Sequence, residues 1–504
     1  MVRWMVSELP GGWTSCQLGD LLDHIQAGKN VKCDERPPEG EEPGLVKISA
    51  VTWGKFDELE SKTLLSDDGL EARNKIQPGD LLISRANTLE LVGAPVIVHA
   101  ITKNLYLSDK VLRLDLAEPL RAWALTCLKS KSGRSQIEAL ATGNQLSMRN
   151  ISQDALRSIE LPLPPLAEQK RIAQKLDALL AQVDTLKARI DAMPALLKRF
   201  REATLTSAMS GTLTKDWRIE SSQSTAPEAP RMCRQLLANE RERIWRGRGK
   251  YKPAVRSGEV DASEFSNLPE VWHRGTLDEI TWSVKDGPHF SPKYATDGVR
   301  FISGGNIRPG RIDLSTGKYI SQELHEELSA RCKPEYLDVL YTKGGTTGFA
   351  AVNRTESEFN VWVHVAVLKM LPPSVVDPFF VEFALNSPEC YAQSQRYTHG
   401  VGNQDLGLRR MIKIVLPVPP IGEQREIVRR VEQLFAYADQ LEAKVATAKQ
   451  RIDALTQSLL AKAFRGELVP QDPAAEPASV LLDRIRAQRA ATPKPKRGRK
   501  AATS

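Results

Sequence analysis

Two stretches of the chain carry the same hydrophobic stripe. Apolar side chains fall at Ile172, Leu176, Leu179, Val183, Leu186, Ile190, Met193, Leu197 and Phe200, in steps alternating four and three. The steps recur at Ile427, Val431, Leu434, Ala438, Leu441, Val445, Ala448, Ile452, Leu455 and Leu459, with charged residues between them. An apolar repeat of 3.5 residues held over several heptads predicts a coiled-coil helix, here two of them. Pro194 interrupts the first and is expected to bend or loosen it. At 1.5 Å per residue, roughly 33 residues make a rod of about 50 Å.

Each stripe opens on the same phrase. Leu161-Pro162-Leu163-Pro164-Pro165-Leu166-Ala167-Glu168-Gln169 returns as Leu416-Pro417-Val418-Pro419-Pro420-Ile421-Gly422-Glu423-Gln424, and the match runs without a gap to Gly211/Gly466 and Leu213/Leu468. A diverged block precedes each copy. In the first, Leu81–Ser84, Pro95–Val98 and Val111–Leu114 read as strands, while Asp68–Lys75 and Leu120–Ser130 read as helices. The second block keeps the frame more faintly: Leu9-Pro10 and Trp13 match Leu268-Pro269 and Trp272, and Gly143-Asn144-Gln145 returns as Gly402-Asn403-Gln404.

The expected division is residues 1–160 (first module), 161–214 (first spacer helix), 215–267 (basic connector), 268–415 (second module), 416–470 (second spacer helix) and 471–504 (basic tail). The fold class is α+β with a pseudo-twofold internal repeat: two α/β modules joined by two long helices that pair as an antiparallel coiled coil. Antiparallel pairing is the economical choice, because the second module then follows the first helix with little travel.

Charge changes the picture less than its total suggests. The formal net charge is +8, but eight Lys/Arg against one Asp lie from Asp483 onward, and nine Lys/Arg against Glu240 and Glu242 lie between Arg231 and Arg256. The remainder is slightly acidic, so composition alone does not make the modules DNA binders. The six cysteines are scattered without a C-x-x-C pair, which predicts reduced thiols and neither disulfides nor zinc. No apolar run is long enough to span a bilayer, and the N-terminus has no signal-peptide pattern, so no membrane association and a cytoplasmic protein are expected.

Catalytic signatures are missing from the sequence. Every Pro-Pro (Arg36-Pro37-Pro38-Glu39, Leu163-Pro164-Pro165-Leu166, Leu371-Pro372-Pro373-Ser374, Val418-Pro419-Pro420-Ile421) lacks the Asp/Asn before it and the aromatic after it that grip a flipped adenine. There is no G-x-x-x-x-G-K-[ST] for a nucleotide-driven motor. Glu442-Ala443-Lys444 has a nuclease-like E-x-K form but sits on the heptad helix, where it reads as solvent-facing charge. The chain is therefore expected to be non-enzymatic, with no metal and no cofactor of its own.

The duplicated Leu-Pro-[Leu/Val]-Pro-Pro-[Leu/Ile]-x-Glu-Gln openings, their heptad helices, the closing Ser210-Gly211-Thr212-Leu213 and Arg465-Gly466-Glu467-Leu468, and the run Gly79–Arg85 resemble the specificity subunit of type I DNA restriction–modification systems. The resemblance covers nearly the whole chain. It implies two target recognition domains, each reading one half of a split, asymmetric site on double-stranded DNA. It also implies docking of two methyltransferase subunits and two restriction motor-nuclease subunits, with S-adenosylmethionine, ATP and Mg held by those partners. Two other readings stay open: a coiled-coil scaffold without a DNA role, and a specificity subunit serving a fused methyltransferase–nuclease.

Candidate DNA contacts follow from side-chain chemistry. Arg85 and Lys343, each after a strand, suit a phosphate or a guanine edge and equally a plain surface charge. Asn87, Asn144, Gln145, Asn403 and Gln404 offer amides that pair with adenine edges or stabilise turns. Gly344 and Gly345, in Gly344-Gly345-Thr346-Thr347-Gly348, bring backbone N–H groups to a phosphate or form a hairpin. His289 and His364 read as structural or incidental.

Overall fold

The computed structural model describes residues 9–52, 54–66, 70–145, 148–221, 229–246, 248, 251–260, 264–400, 402 and 404–491. The chain forms two compact units, residues 1–190 with 447–504, and residues 191–446. Each unit contains one module and takes part of both long helices.

In the first unit, His24–Ala27, Val111–Asp115, Leu81–Ser84 and Pro95–Ile97 form an antiparallel sheet in that spatial order. A second sheet orders Cys33–Asp34, Ser61–Leu64, Pro43–Val46 and Asn104–Tyr106, its last pair parallel. Leu81–Ser84 is buried on both faces, and strand alternation explains how. Leu81 and Ile83 join the cluster containing Trp123 and Ile172, while Leu82 joins Val46, Val96 and Leu105. The second unit repeats the device: Val339 and Tyr341 face one core, Leu340 the other. Its main sheet runs Thr281–Asp286, Val365–Met370, Val339–Thr342 and Ala350–Val352.

The expected strands are present. The helix expected over 120–130 forms as Glu118–Lys129, with Pro119 in its first turn, where a missing N–H costs nothing. The helix expected over 68–75 does not form over its described residues, 70–75. Asp68 lies outside the described residues, and Ala72–Asn74 is a single 3-10 turn. Here the backbone pairs sideways instead, Ile76 N–H to Leu105 O and Leu107 N–H to Asn74 O, both at 2.9 Å.

Two glycines allow the sheets of each module to touch. A Cβ on Gly28 would stand 1.7 Å from Leu107 O, and one on Gly287 would stand 1.9 Å from Val361 O. Gly28→Ala and Gly287→Ala are each expected to lower stability by at least the 1–3 kcal/mol typical of overpacking, read as a lower urea midpoint.

The stripes lie on helices Leu166–Met209 and Ile421–Phe464, 44 residues each, the first continuing through Pro194. Of the stripe positions, Ile172, Leu176, Val183, Ile427, Val431 and Ile452 are buried; Leu179, Ile190, Leu434, Leu441 and Val445 are half-buried. Leu186 is exposed at 47%. Ile172 and Leu176 belong to the first unit's main cluster with Ala463 and Phe464, and Leu205 and Met209 to the second unit's with Ile427 and Val431.

The shared phrase that opens each helix is an anchor. Glu168 is buried and accepts the Trp13 indole N–H at 3.1 Å and the Gln471 amide at 2.7 Å. Glu423 is buried and accepts the Trp272 indole N–H at 2.7 Å, the Thr214 hydroxyl at 2.6 Å and the Arg218 guanidinium. Gln169 and Gln424 donate to Pro164 O and Pro419 O, at 2.7 and 2.8 Å, closing the first turn. Gly211 and Gly466 end the helices at φ +75° and +70°, the left-handed cap that favours glycine. Their Cα hydrogens face Pro269 and Pro10, where a Cβ would come within 2.6 Å.

A basic helix completes each anchor. Arg241 of Ala229–Trp245 pairs with Asp278 at 3.1 Å, and Arg489 of Ala478–Ala491 donates to Gly19 O at 2.9 Å. Each module is also closed by its own ends: Thr14–Gln17 pairs with Glu160–Leu163, and His273–Thr276 with Val415–Val418. Among the described residues no helix is long and apolar enough to cross a membrane, and no His/Cys/Asp/Glu group is arranged to hold a metal.

Candidate nucleic-acid interface

Arg85 and Lys343 are equivalent in the backbone. The Arg85 N–H bonds to Lys110 O at 2.8 Å and its C=O accepts from Ile151 at 3.0 Å; the Lys343 N–H bonds to His364 O and its C=O accepts from Leu406, both at 2.8 Å. Their charged heads differ. The Arg85 side chain is exposed and has no hydrogen-bond or ion-pair partner among the described residues. Lys343 is buried, 3.2 Å from Asp286 and 3.3 Å from Asp405, and donates to Val363 O.

Two substitutions between the modules account for this. Asp286 stands across from Ala366 where the first module has Ala27 across from Leu112, and Asp405 bridges Gly344 where Asn150 pairs with Ala86. Carboxylates in the second module thus draw in Lys343, whereas the first module's neutral residues leave Arg85 facing water. Asp286 also meets Arg331 at 3.0 Å and His289 at 3.3 Å.

Around this pair the remaining candidates gather unevenly. Asn87 lies on Ala86–Asn87, its amide donating to Thr52 at 3.3 Å. Asn144 and Gln145 are on Thr142–Gln145, with side chains outside the described portion, as is all of Asn403. Gly344 is pressed against His364, where a Cβ would stand 2.0 Å from Nδ1. Gly345, at φ +72°, donates to Gln404 O at 3.0 Å. The glycine-rich run turns Val339–Thr342 back into Ala350–Val352, so it is a hairpin.

The two Gly-Asn-Gln sites are not structural counterparts. Thr142 pairs with Asn150 and His399 bridges Asp405, which aligns Gly143 with Gly400 rather than Gly402. Both glycines have positive φ, +135° and +109°. The second turn is two residues shorter, and the sequence match slid across that gap.

Sequence reasoning missed an aromatic group beside these residues. The rings of Trp362 and His364 meet edge-on with centroids 4.7 Å apart, and the Trp362 indole donates to Phe290 O at 3.2 Å. Burial and the nearby Lys343 ammonium hold His364 below the usual imidazole pKa, so the ring is neutral near pH 7. The only signal in the sequence was Trp362-Val363-His364, bulky rings on alternate residues just before a strand.

Two mixed α/β modules with duplicated anchors and diverged polar ends define a protein built on an internal repeat. Residues 10–194 and 269–448 match the type I restriction modification DNA specificity domain, and the chain belongs to that family. It is 31% identical over 517 residues, covering 98% of this chain and 99% of the other, to the type I restriction enzyme EcoKI specificity subunit of Escherichia coli (strain K12). To the EcoDI specificity subunit of Escherichia coli it is 33% identical over 520 residues, covering 98% and 99%.

Among solved structures, the HsdS subunit from Thermoanaerobacter tengcongensis shares the fold at TM-score 0.50 and 18% identity, over 91% of this chain and 98% of that one. A chain from a study of complex assembly and conformational transition of the type I R-M system does so at TM-score 0.57 and 17% identity, over 91% and 99%. The family is one of specificity subunits, and the chain is non-catalytic.

Proposed function

We propose that the chain reads a bipartite, asymmetric sequence on double-stranded DNA, one half-site per module. In this reading it brings two adenine-N6 methyltransferase subunits and two restriction motor-nuclease subunits to that site. S-adenosylmethionine, ATP and Mg serve the partners. The observation that carries the reading is one backbone frame bearing two chemistries, an open Arg85 beside Asn150 and a Lys343 neutralised by Asp286 and Asp405. A shared frame with unlike surfaces suits two different half-sites, since base edges are read by side-chain donors and acceptors.

The spacer helices act as a ruler, paired antiparallel along their stripes. Ion pairs within each unit support this: Lys187 with Asp453 at 3.4 Å in the first, Arg201 with Asp439 at 2.6 Å and Glu442 at 3.0 Å in the second. Lys187, midway along the first helix, meets Asp453 in the latter half of the other, while Arg201, late in the first helix, meets Asp439 and Glu442 near the middle of the other, the order an antiparallel pair requires.

The test is modified-base sequencing of a genome after co-expressing the chain with its methyltransferase partner. Methyl-adenine at a single split motif, lost without this chain, is the expected result. A stable complex that leaves no motif removes the DNA reading. Exchanging residues 1–160 for those of another specificity subunit is expected to change one half of the motif and leave the other intact; change in both halves contradicts modular reading.

A further inference from the structure

We infer that Phe290, backed by Trp362 and His364, makes an apolar contact with the bases of the half-site read by the second module. The inference rests on the DNA-reading role proposed above and adds the residue that discriminates. Phe290 is 51% exposed, and it lies on a loop whose backbone is fixed. The loop is fixed at three points. Gly287 lies against Val361 O, Asp286 ties His289 to Arg331 and Lys343, and the Trp362 indole holds Phe290 O. The ring is therefore presented rather than left loose.

Its surroundings suit nucleic acid more than a protein partner. Trp362 leads through His364 to Gly344, and Gly345 bonds to Gln404, so the aromatic group is continuous with the hairpin. Along the same loop Tyr294 is 39% exposed and carries the Lys318 ammonium 4.0 Å above its ring. Exposed Lys293 lies beside it, with Asp297 further along. The carboxylates nearest the aromatic group are already neutralised, Asp286 by Arg331 and Lys343 and Asp405 by Lys343 and Arg410. Apolar rings between cations with their acids paired off match a groove lined by phosphates and floored by bases.

The feature belongs to one module only. Aligning Gly28 with Gly287 and Lys110 with His364 puts Val31 and Ser108 where the second module has Phe290 and Trp362.

The test uses the full chain in complex with its methyltransferase partner and duplexes carrying the identified motif. Phe290→Ala is expected to weaken binding to the motif by about 5- to 100-fold, the range of one lost base contact. Affinity for unrelated duplex and the salt slope should stay within about twofold, because no phosphate contact is lost. Lys318→Ala is expected to weaken both duplexes and flatten the slope. Phe290→Leu should retain part of the affinity, and an unchanged thermal midpoint for both Phe290 variants separates loss of contact from loss of fold. Replacing each thymine of the second half-site by deoxyuridine distinguishes a methyl contact, which loses affinity at one position, from a ring wedged between base steps, which is reported by 2-aminopurine fluorescence. Full motif affinity in Phe290→Ala, with wild type specific, overturns this inference alone. A wild-type complex that does not discriminate the motif overturns the DNA reading beneath it.

Discussion

Replacing Glu423 by alanine is expected to cost about 3–5 kcal/mol of unfolding free energy, the range for breaking one side of a buried ion pair. The carboxylate accepts from Trp272, Thr214 and Arg218, and Arg218 is itself only 12% exposed. Truncation leaves a guanidinium, an indole N–H and a hydroxyl without their acceptor, in a place where little water can replace it. Glu423→Gln keeps an acceptor for the indole but still strips Arg218 of its counter-charge, so it too is expected to be costly.

The counterpart Glu168 makes the contrast informative. Its acceptors serve Trp13 and Gln471, both neutral, and burial raises its carboxyl above the usual range. A raised folded-state pKa means that ionisation is penalised in the native state. The penalty is absent below the unfolded pKa and grows as pH rises through the folded one. Glu168→Gln should therefore be nearly neutral at pH 7, and its stability relative to wild type should improve from acid toward neutral pH. Urea unfolding of the three variants across pH checks both statements. Equal losses at Glu168→Gln and Glu423→Gln would contradict them.

Deleting one heptad from each spacer helix is expected to shorten the unmethylated gap between half-sites while leaving the half-sites themselves unchanged, or to abolish assembly. Seven residues keep the stripe in phase and remove about 10 Å of helix, close to three base-pair steps. Deleting four residues from one helix instead rotates the stripe relative to its partner and is expected to cost solubility as well as activity. Modified-base sequencing reads the gap directly. A shortened chain that is fully active at the original spacing contradicts the ruler.

The spacers were legible in the sequence because their constraint is one-dimensional: a seven-residue period and a repeated phrase survive without any long-range contact. The anchor residues were also visible as Glu168-Gln169 and Glu423-Gln424, though their partners Trp13, Gln471, Thr214 and Arg218 are brought together only by the fold. The modules were harder to read. Arg85 and Lys343 were correctly matched by strand pattern, but burial of one and exposure of the other depend on Ala27 or Asp286 on a strand far away in sequence. The Gly-Asn-Gln match misled because a two-residue change in turn length carries no mark in a single sequence. Phe290 could not be singled out, since an exposed and a buried phenylalanine are spelled alike.

The anchors also set an order of events during synthesis. Everything that closes the second unit lies between residues 191 and 446, so it can collapse as soon as that stretch has left the ribosome. The first module emerges earlier yet must wait. Its core is completed by Phe464, Ala478 and Leu482, and Glu168 receives Gln471 only when the far end of the chain arrives. At 5–20 residues per second the delay between Glu168 and Gln471 is roughly 15–60 s. A nascent or prematurely terminated chain thus carries an unfinished first module with its apolar core open to chaperones and proteases. Only a chain that has gained Ala478–Ala491 can complete the cores of both modules.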